Sequence, residues 1–415
     1  MKLLKSILRG NERKSLISNF GYLSLLQIAN YIFPLITLPY LARTIGVDGF
    51  GKLAFAGAVI LWVQTITDWG FNYTATRDVV RNKTNVNVIS SIFSNVLWAR
   101  LFLMTASLIV LMLLIFLIPL FRENALVLLL SFLLVPGHIA CPEWLFQAME
   151  KMKYITIINV IAKLIFTIAV FIFIKESSDY ILQPVLSALG YLIAGAVTFV
   201  IIINKWHIRL LKPSVKNVIC TIKNSFDVFI NNIIPNLYNS LSVVVLGFFG
   251  GSVSNGLYDA GNKFITVGHQ IVNIISRTFF PLMARRIDKH NTYAKICLSI
   301  SFAMAVLLFA FAPLIIHLFF TEEFYAAVVV LRIKALCVFF VALNRVYGIN
   351  YLLLVGKEKV MRRVTTFCSL GGFIIMWPLI YFLDYNGAAI SILITQFFLG
   401  LLMFIISKKN KNENC

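Results

Sequence analysis

Acidic side chains are scarce in this sequence: 17 Asp and Glu stand against 37 Lys and Arg, a net charge of +20. Charge of either sign is sparse, at 13% of residues against roughly a quarter in soluble domains. Cysteine is thin as well. The six cysteines, Cys141, Cys220, Cys297, Cys337, Cys368 and Cys415, are scattered and form no CxxC. That spacing excludes a disulfide framework and a structural zinc site. The five histidines form no HExxH, so a zinc protease is excluded too. Long polar stretches are missing, which leaves no room for an inserted soluble domain. No cofactor is expected.

What is present is apolar. Hydrophobic residues make up 60% of the chain, and the mean hydropathy is +0.87. Runs long enough to cross a bilayer recur throughout. They place helices at about 16–42, 51–72, 91–119, 124–149, 154–174, 180–204, 226–249, 254–277, 293–320, 325–355, 359–382 and 386–406. The expected fold is therefore all-α, with about twelve transmembrane helices. The basic leader, with Leu3, Leu4, Ile7 and Leu8, reads as lying on the membrane surface ahead of an uncleaved first helix.

An excess of positive charge in a soluble chain would suggest nucleic acid. Here the cations sit in short clusters between apolar runs, so nucleic acid is not an expected partner. Clusters at Lys2–Lys14, Arg77–Lys83, Lys151–Lys153, Lys205–Lys223, Arg277–Lys295, Lys357–Arg363 and Lys408–Lys411 hold 27 of the 37 cations. The alternate loops carry only Arg43, Lys52, Arg122 and Lys175. The positive-inside rule makes the rich set cytoplasmic and puts both termini inside.

The longest inward connection lies mid-chain. It divides the sequence into a lobe at 1–205, a linker at 206–225 and a lobe at 226–415, with six helices in each lobe. The halves repeat weakly. Leu41, Gly46, Gly51 and Arg81 recur 205 positions later as Leu246, Gly251, Gly256 and Arg286. Parallel repeats of six helices imply a symmetry axis along the membrane normal and a substrate path between the halves. Pro34 and Pro39 are expected to kink the first helix, and Pro235 the seventh.

Four stretches resemble the Wzx-type O-antigen and capsule flippases of the multidrug/oligosaccharidyl-lipid/polysaccharide (MOP) exporter superfamily. They are Pro39-Tyr-Leu-Ala-Arg-Thr-Ile-Gly46 with Phe50-Gly51, and Asp68-Trp-Gly-Phe71 running into Ala75-Thr-Arg-Asp-Val-Val-Arg81. The third is Pro142-Glu-Trp-Leu-Phe-Gln147 with Met149-Glu-Lys-Met-Lys-Tyr154. The fourth is Gly256-Leu-Tyr258 with Phe280-Pro281 and Arg285-Arg286. The resemblance implies a V-shaped pair of six-helix bundles in the bacterial inner membrane. It implies export of undecaprenyl-pyrophosphate-linked oligosaccharide from the cytoplasmic to the periplasmic leaflet, without ATP. The implied partners are that substrate, membrane lipid and other polysaccharide-assembly membrane proteins.

Ionisable residues inside the predicted spans are costly in lipid, so they face a cavity or a partner. The deep ones are Arg100, Lys163, Lys263 and Arg345, with Arg332 and Lys334 shallower. All are cations, and a cationic path suits a phosphate or an acidic sugar. Arg100, Lys163, Lys263, Arg345 and Arg332 are the candidate path residues. Lys263 also stands four residues after Asp259 and can pair with it. Asp68 and Glu143, near helix ends, are candidate gate residues that could pair with Arg77, Arg81 or Lys151.

Three other functions are weighed against export of a lipid-linked glycan. A cation-coupled drug exporter of the same fold needs acidic residues at mid-depth, and the deep charges are positive. A polysaccharide polymerase or ligase needs a large outward catalytic loop, and only Glu322 and Glu323 lie adjacent on that side. A major-facilitator transporter carries a glycine- and arginine-rich loop between its second and third helices, where this chain reads TRDVVRNKTNVN.

Overall fold

The computed structural model describes residues 10–83 and 85–413. The expected surface-lying leader, with Leu3, Leu4, Ile7 and Leu8, falls outside the described residues. Within them the chain is all-helical, without a strand. Eight helices are long and apolar enough to cross a membrane, or nine if one bent pair counts as a span. Two of the eight hold a kink inside a continuous helical stretch. Gly10–Asp68 breaks at Gly46, and Glu358–Glu413 breaks at Asp384. The helix Gly251–Arg285 has 35 residues, about 50 Å at 1.5 Å each. It carries Asn255, Asp259, Asn262, Lys263, His269, Asn273 and Arg277, which makes it polar for a span.

Large apolar side chains cover the outside. Phe116 is 71% exposed, Leu117 68% and Phe382 77%. Water would not tolerate so many exposed aromatic and aliphatic groups, whereas lipid solvates them. The protein is a multi-pass membrane protein.

The chain divides into two compact units. One holds the residues up to Thr44 and Ile60–Ile233. The other holds Ile45–Val59 and everything from Ile234 onward. The boundary therefore differs from the expected linker at 206–225. Only residues 207–214 are irregular, and Val215–Ile233 is a helix of the first unit. Side chains explain why. Trp69 donates its indole N–H to the Ile222 carbonyl at 3.0 Å and stacks on Phe229 at 3.9 Å. Thr74 and Ser225 share a buried hydrogen bond of 2.7 Å. The irregular stretch is fastened too. Arg209 N–H donates to Ser90 Oγ, Leu211 N–H donates to Ser94 Oγ, and Trp98 Nε1 donates to the Leu211 carbonyl.

The first unit is cored by Phe71, Val79, Ile89, Phe93, Trp144, Phe146 and Ile155. The second is cored by Tyr258, Val330, Cys337, Met376, Ile380 and Ile392. Segment 45–59 belongs to the second unit through a crossing of two glycine turns. Gly46 and Gly251 both have positive φ, 66° and 73°, which only glycine adopts cheaply. Five residues on from each, Gly51 and Gly256 meet backbone to backbone. A Cβ on Gly51 would overlap the Ser252 carbonyl and lie 2.9 Å from Gly256 N. A Cβ on Gly256 would overlap the Val47 carbonyl and lie 3.3 Å from Gly51 N. Ser252 donates to Asp48, and the Phe50 ring stands edge-on to Phe320 and Phe324. The 205-residue offset thus pairs the same turn with itself.

Several expected details differ. The backbone stays helical at Pro34 and Pro39, and the break falls at Gly46. Pro235 does interrupt its helix, inside the 3-10 turn Ile234–Leu237. The expected helix at 124–149 is three pieces, Ala125–Phe132, Leu134–Ala140 and Glu143–Ala148. Pro142 ends the middle piece, because the residue before a proline avoids helical angles. The helix expected at 51–72 ends at Asp68. Trp69 (φ 42°) and Gly70 (φ 78°) are both left-handed, and Phe71–Arg81 resumes.

Candidate functional site

Charged and polar side chains gather in two places, one in each unit. In the first unit the gathering surrounds the helix break after Asp68. Arg100, on the helix Val86–Leu117, donates from Nη2 to Asp68 Oδ1 at 2.9 Å and to Asn72 Oδ1 at 2.8 Å. The Arg100 side chain is 4% exposed and that of Asp68 26%. Arg100 was expected as a free cation of the path, but it is already paired. Asp68, a candidate gate residue with Arg77, Arg81 or Lys151 as possible partners, pairs instead with Arg100, 32 positions away on Val86–Leu117. Arg77 instead pairs with its neighbour Asp78, and no ion pair of Arg81 or Lys151 occurs among the described residues.

The second acid lies nearby in the same unit. Glu143 sits in the first turn of its short helix and accepts a hydrogen bond from Asn159 Nδ2 at 2.9 Å. Lys163, one turn beyond Asn159, makes no hydrogen bond or ion pair among the described residues, and Glu143 is the charge that acts on it. A cation expected on the path is therefore partnered only loosely. His138 enters the cluster without having been anticipated. Its Nε2 stands 3.9 Å from Asp68 Oδ2. Pro136-Gly137 just ahead of it, inside a broken helix, was the available signal.

In the second unit the expected cations separate. Lys263 is bound to Asp259 at 2.7 Å, one turn apart on its own helix. Arg332 is exposed, with its guanidinium 5.5 Å from the Phe309 ring centroid. Lys334 is buried, donating to Tyr258 Oη at 2.8 Å and Asn262 Oδ1 at 2.6 Å. Since Lys263 is half exposed and its charge is spent on Asp259, the pair contributes at most about 1 kcal/mol. Lys263→Gln is expected to leave export within about threefold of the parent, measured by surface glycan in a complemented deletion strain.

Arg345 is the exception. It lies in the π-helical stretch Asn344–Leu352, a rare backbone form enriched at functional sites. Its Nε is buried and unpartnered. It lines a cavity of about 140 Å³ with Asn273, Ser276, Arg277, Phe280 and Ile349. The charge acting on it most is the second guanidinium, Arg277, and no carboxylate acts on it. Two guanidiniums, an amide and a hydroxyl around one cavity make its lining rich in hydrogen-bond donors. In the sequence Arg277 stands out only as one cation of a basic cluster.

The two gatherings occupy matched places in the repeat. Asn273 and Arg277 stand 205 positions after Asp68 and Asn72. Arg345 stands within two residues of the position matching His138. One copy is built around a carboxylate and the other around guanidiniums.

Comparison with known proteins agrees with this architecture. A curated relative from Escherichia coli (strain K12), named "Putative O-antigen transporter", is 29% identical over 97% of this chain and 99% of its own length. The fold resembles that of the lipid II flippase MurJ in its inward closed conformation, with a TM-score of 0.75 at 15% identity over 92% of this chain and 87% of that one. It also resembles a MATE transporter in its bent conformation, with a TM-score of 0.61 at 13% identity over 99% and 96%. The family described as "Polysaccharide biosynthesis protein" matches residues 16–287. With that match across most of the sequence, and the fold shared with MurJ and MATE over nearly all of it, the chain belongs to the polysaccharide biosynthesis protein family.

Proposed function

We propose that the protein flips an undecaprenyl-pyrophosphate-linked oligosaccharide, an O-antigen or similar repeat unit, from the cytoplasmic to the periplasmic leaflet of the bacterial inner membrane. It crosses the membrane twelve times in two six-helix lobes, with both termini in the cytoplasm. That orientation rests on the alternation of basic and nearly uncharged connections. Transport proceeds by alternating access and makes or breaks no covalent bond. Other membrane proteins of polysaccharide assembly act before and after it.

One observation carries the reading: Arg277 and Arg345 share a polar cavity without a carboxylate. An anionic head group would satisfy both, since guanidinium grips phosphate through two parallel hydrogen bonds. Lys163 is the further candidate on the path, because its ammonium lacks a close partner. Arg100 and Lys263 are committed to carboxylates and play supporting parts.

Deletion of the gene is expected to leave lipid-linked oligosaccharide on the cytoplasmic side, and accumulation of no such intermediate would overturn the reading. In the complemented strain, Arg345→Ala is expected to lower surface glycan by about 10- to 100-fold, matching the roughly 1.5–3 kcal/mol of a charged hydrogen bond. Arg345→Lys keeps the charge but loses the fork, so it should fall between Arg345→Ala and the parent. Wild-type export from a well-inserted Arg345→Ala protein would remove the anion site from the mechanism.

A further inference from the structure

We infer that Asp68, His138 and Arg100 form a proton-binding site whose occupancy sets the geometry of the helix break at Trp69–Gly70. The inference concerns the first unit alone and does not depend on the identity of the cargo.

One contact in this cluster is incomplete. Asp68 offers two carboxylate oxygens. Oδ1 is held by Arg100 at 2.9 Å, within charged hydrogen-bond distance. Oδ2 faces His138 Nε2 at 3.9 Å, which is too long for a hydrogen bond and short enough for strong attraction if the ring is charged. Histidine is the side chain whose unperturbed charge changes between about pH 5 and 8. With neutral imidazole the cluster of arginine, carboxylate and ring sums to zero charge. A proton taken from water onto the open ring nitrogen brings it to one positive charge. The imidazolium N–H then gains a charged acceptor about 1 Å away from closing.

The site is open on one side and fixed on the other. The His138 side chain is 36% exposed and has room to move, whereas Arg100 is 4% exposed and is held in place. Closing the gap therefore falls to Asp68 and His138. The groups facing His138 from its neighbours are Asp68, whose other oxygen holds Arg100, and Tyr191, whose ring stands edge-on at 6.0 Å. Glu143 also acts on Tyr191 and Lys163. It carries the opposite charge to the proton and is engaged by Asn159.

Movement of Asp68 has somewhere to go. The next residue, Trp69, is a non-glycine in the left-handed region at φ 42°, a conformation that costs free energy and is held by its surroundings. Its ring stacks on Phe229, and its N–H is tied to the Ile222 carbonyl. Tightening the Asp68–His138 pair pulls on a strained hinge between Gly10–Asp68 and Phe71–Arg81. The repeat adds a separate argument. The matching place in the second unit holds Asn273, Arg277 and Arg345, which cannot bind a proton near neutrality. The first copy sets a carboxylate beside its imidazole, whereas the imidazole near the second gathering, His269, is acted on by the cations Lys334 and Arg345.

Trp69 reports on the site directly. Purified full-length protein in lipid nanodiscs is titrated from pH 5 to 8, reading tryptophan fluorescence. Subtracting the signal of a Trp69→Phe variant isolates the reporter. The expected result is one transition in the wild type. In His138→Gln, fixed neutral, the high-pH signal should hold at every pH. In His138→Lys, fixed positive, the low-pH signal should hold at every pH. The same transition in both variants would overturn the inference, as would a Trp69 signal that does not change in the wild type. Should His138→Lys fail to insert, His138→Gln decides alone, with His207→Gln as the control expected to titrate normally.

Discussion

Gly256→Leu is expected to yield no folded protein. The worst contact is with backbone, which cannot swing away: its Cβ would overlap the Val47 carbonyl and also press on the Val47 side chain and Gly51 N. Even one added methyl in a packed interior costs about 1–3 kcal/mol, and more where the neighbour cannot yield. Gly256→Ala should therefore lower thermal stability clearly, and Gly51→Ala should do the same against Ser252. Two controls separate crowding from backbone strain. Gly57 has nothing within 4 Å of a built Cβ and lacks a positive φ, so Gly57→Ala should be neutral or stabilising by roughly 0.5–1 kcal/mol. Gly251 has open space but φ 73°, so Gly251→Ala should cost only the strain of that angle, about 1–2 kcal/mol. Fluorescence-detected size exclusion and heat inactivation would check the series. A monodisperse Gly256→Leu protein would mean that the turns do not have to meet.

Breaking the Arg100–Asp68 pair should be nearly as severe. Arg100→Ala strands a carboxylate inside the first unit and leaves Asn72 without its donor. Loss of one partner from a buried ion pair typically costs about 3–5 kcal/mol. Removing both charges with Arg100→Met and Asp68→Leu should recover much of that, because desolvation is relieved together with attraction. The measurement is the rate of heat inactivation for both singles and the double, read as a cycle. Equal damage from the double and the sum of the singles would show that the two residues act apart. The pair also separates folding from function, since a folded double variant keeps His138 but offers it no acceptor.

Much of the fold was legible because lipid imposes length and hydropathy on every span. The glycine turns were legible for a local reason: Gly46 and Gly251 need left-handed backbone, and their partners five residues later need close approach. The ends of helices were less readable. Val215–Ile233 starts eleven residues before its expected start at 226, because Trp69 and Thr74 anchor it, and those contacts span about 150 positions. In the helical stretch Gly10–Asp68 the non-helical angles fall at Gly46, seven residues past Pro39.

Site chemistry divided in the same way. Depth in the sequence identified Arg100 and Arg345 as unusual; Arg100 is buried, and Arg345 is half-buried with its Nε enclosed. Depth could not say that one is neutralised and the other is not, because Asp68 reaches Arg100 only across the helix break. Lys263 was a different case, since its partner Asp259 lay one turn away and was visible. His138 and Arg277 were overlooked because neither stands out alone. The 205-residue offset, applied to Asp68 and Asn72, would have pointed to Asn273 and Arg277.

The glycine crossing also fixes an order of events during biosynthesis. Gly51 and Gly256 are 205 residues apart, so the contact is among the most non-local in the chain. A ribosome adding about 5–20 residues per second delivers Gly256 roughly 10–40 s after Gly51. Throughout that interval segment 45–59 lacks the rest of its own unit, although the first unit can already pack. Quality-control proteases therefore meet a nearly complete half with one unprotected turn. A chain interrupted between Ile233 and Gly256 should be degraded from that turn, and supplying the missing half as a separate polypeptide should protect it.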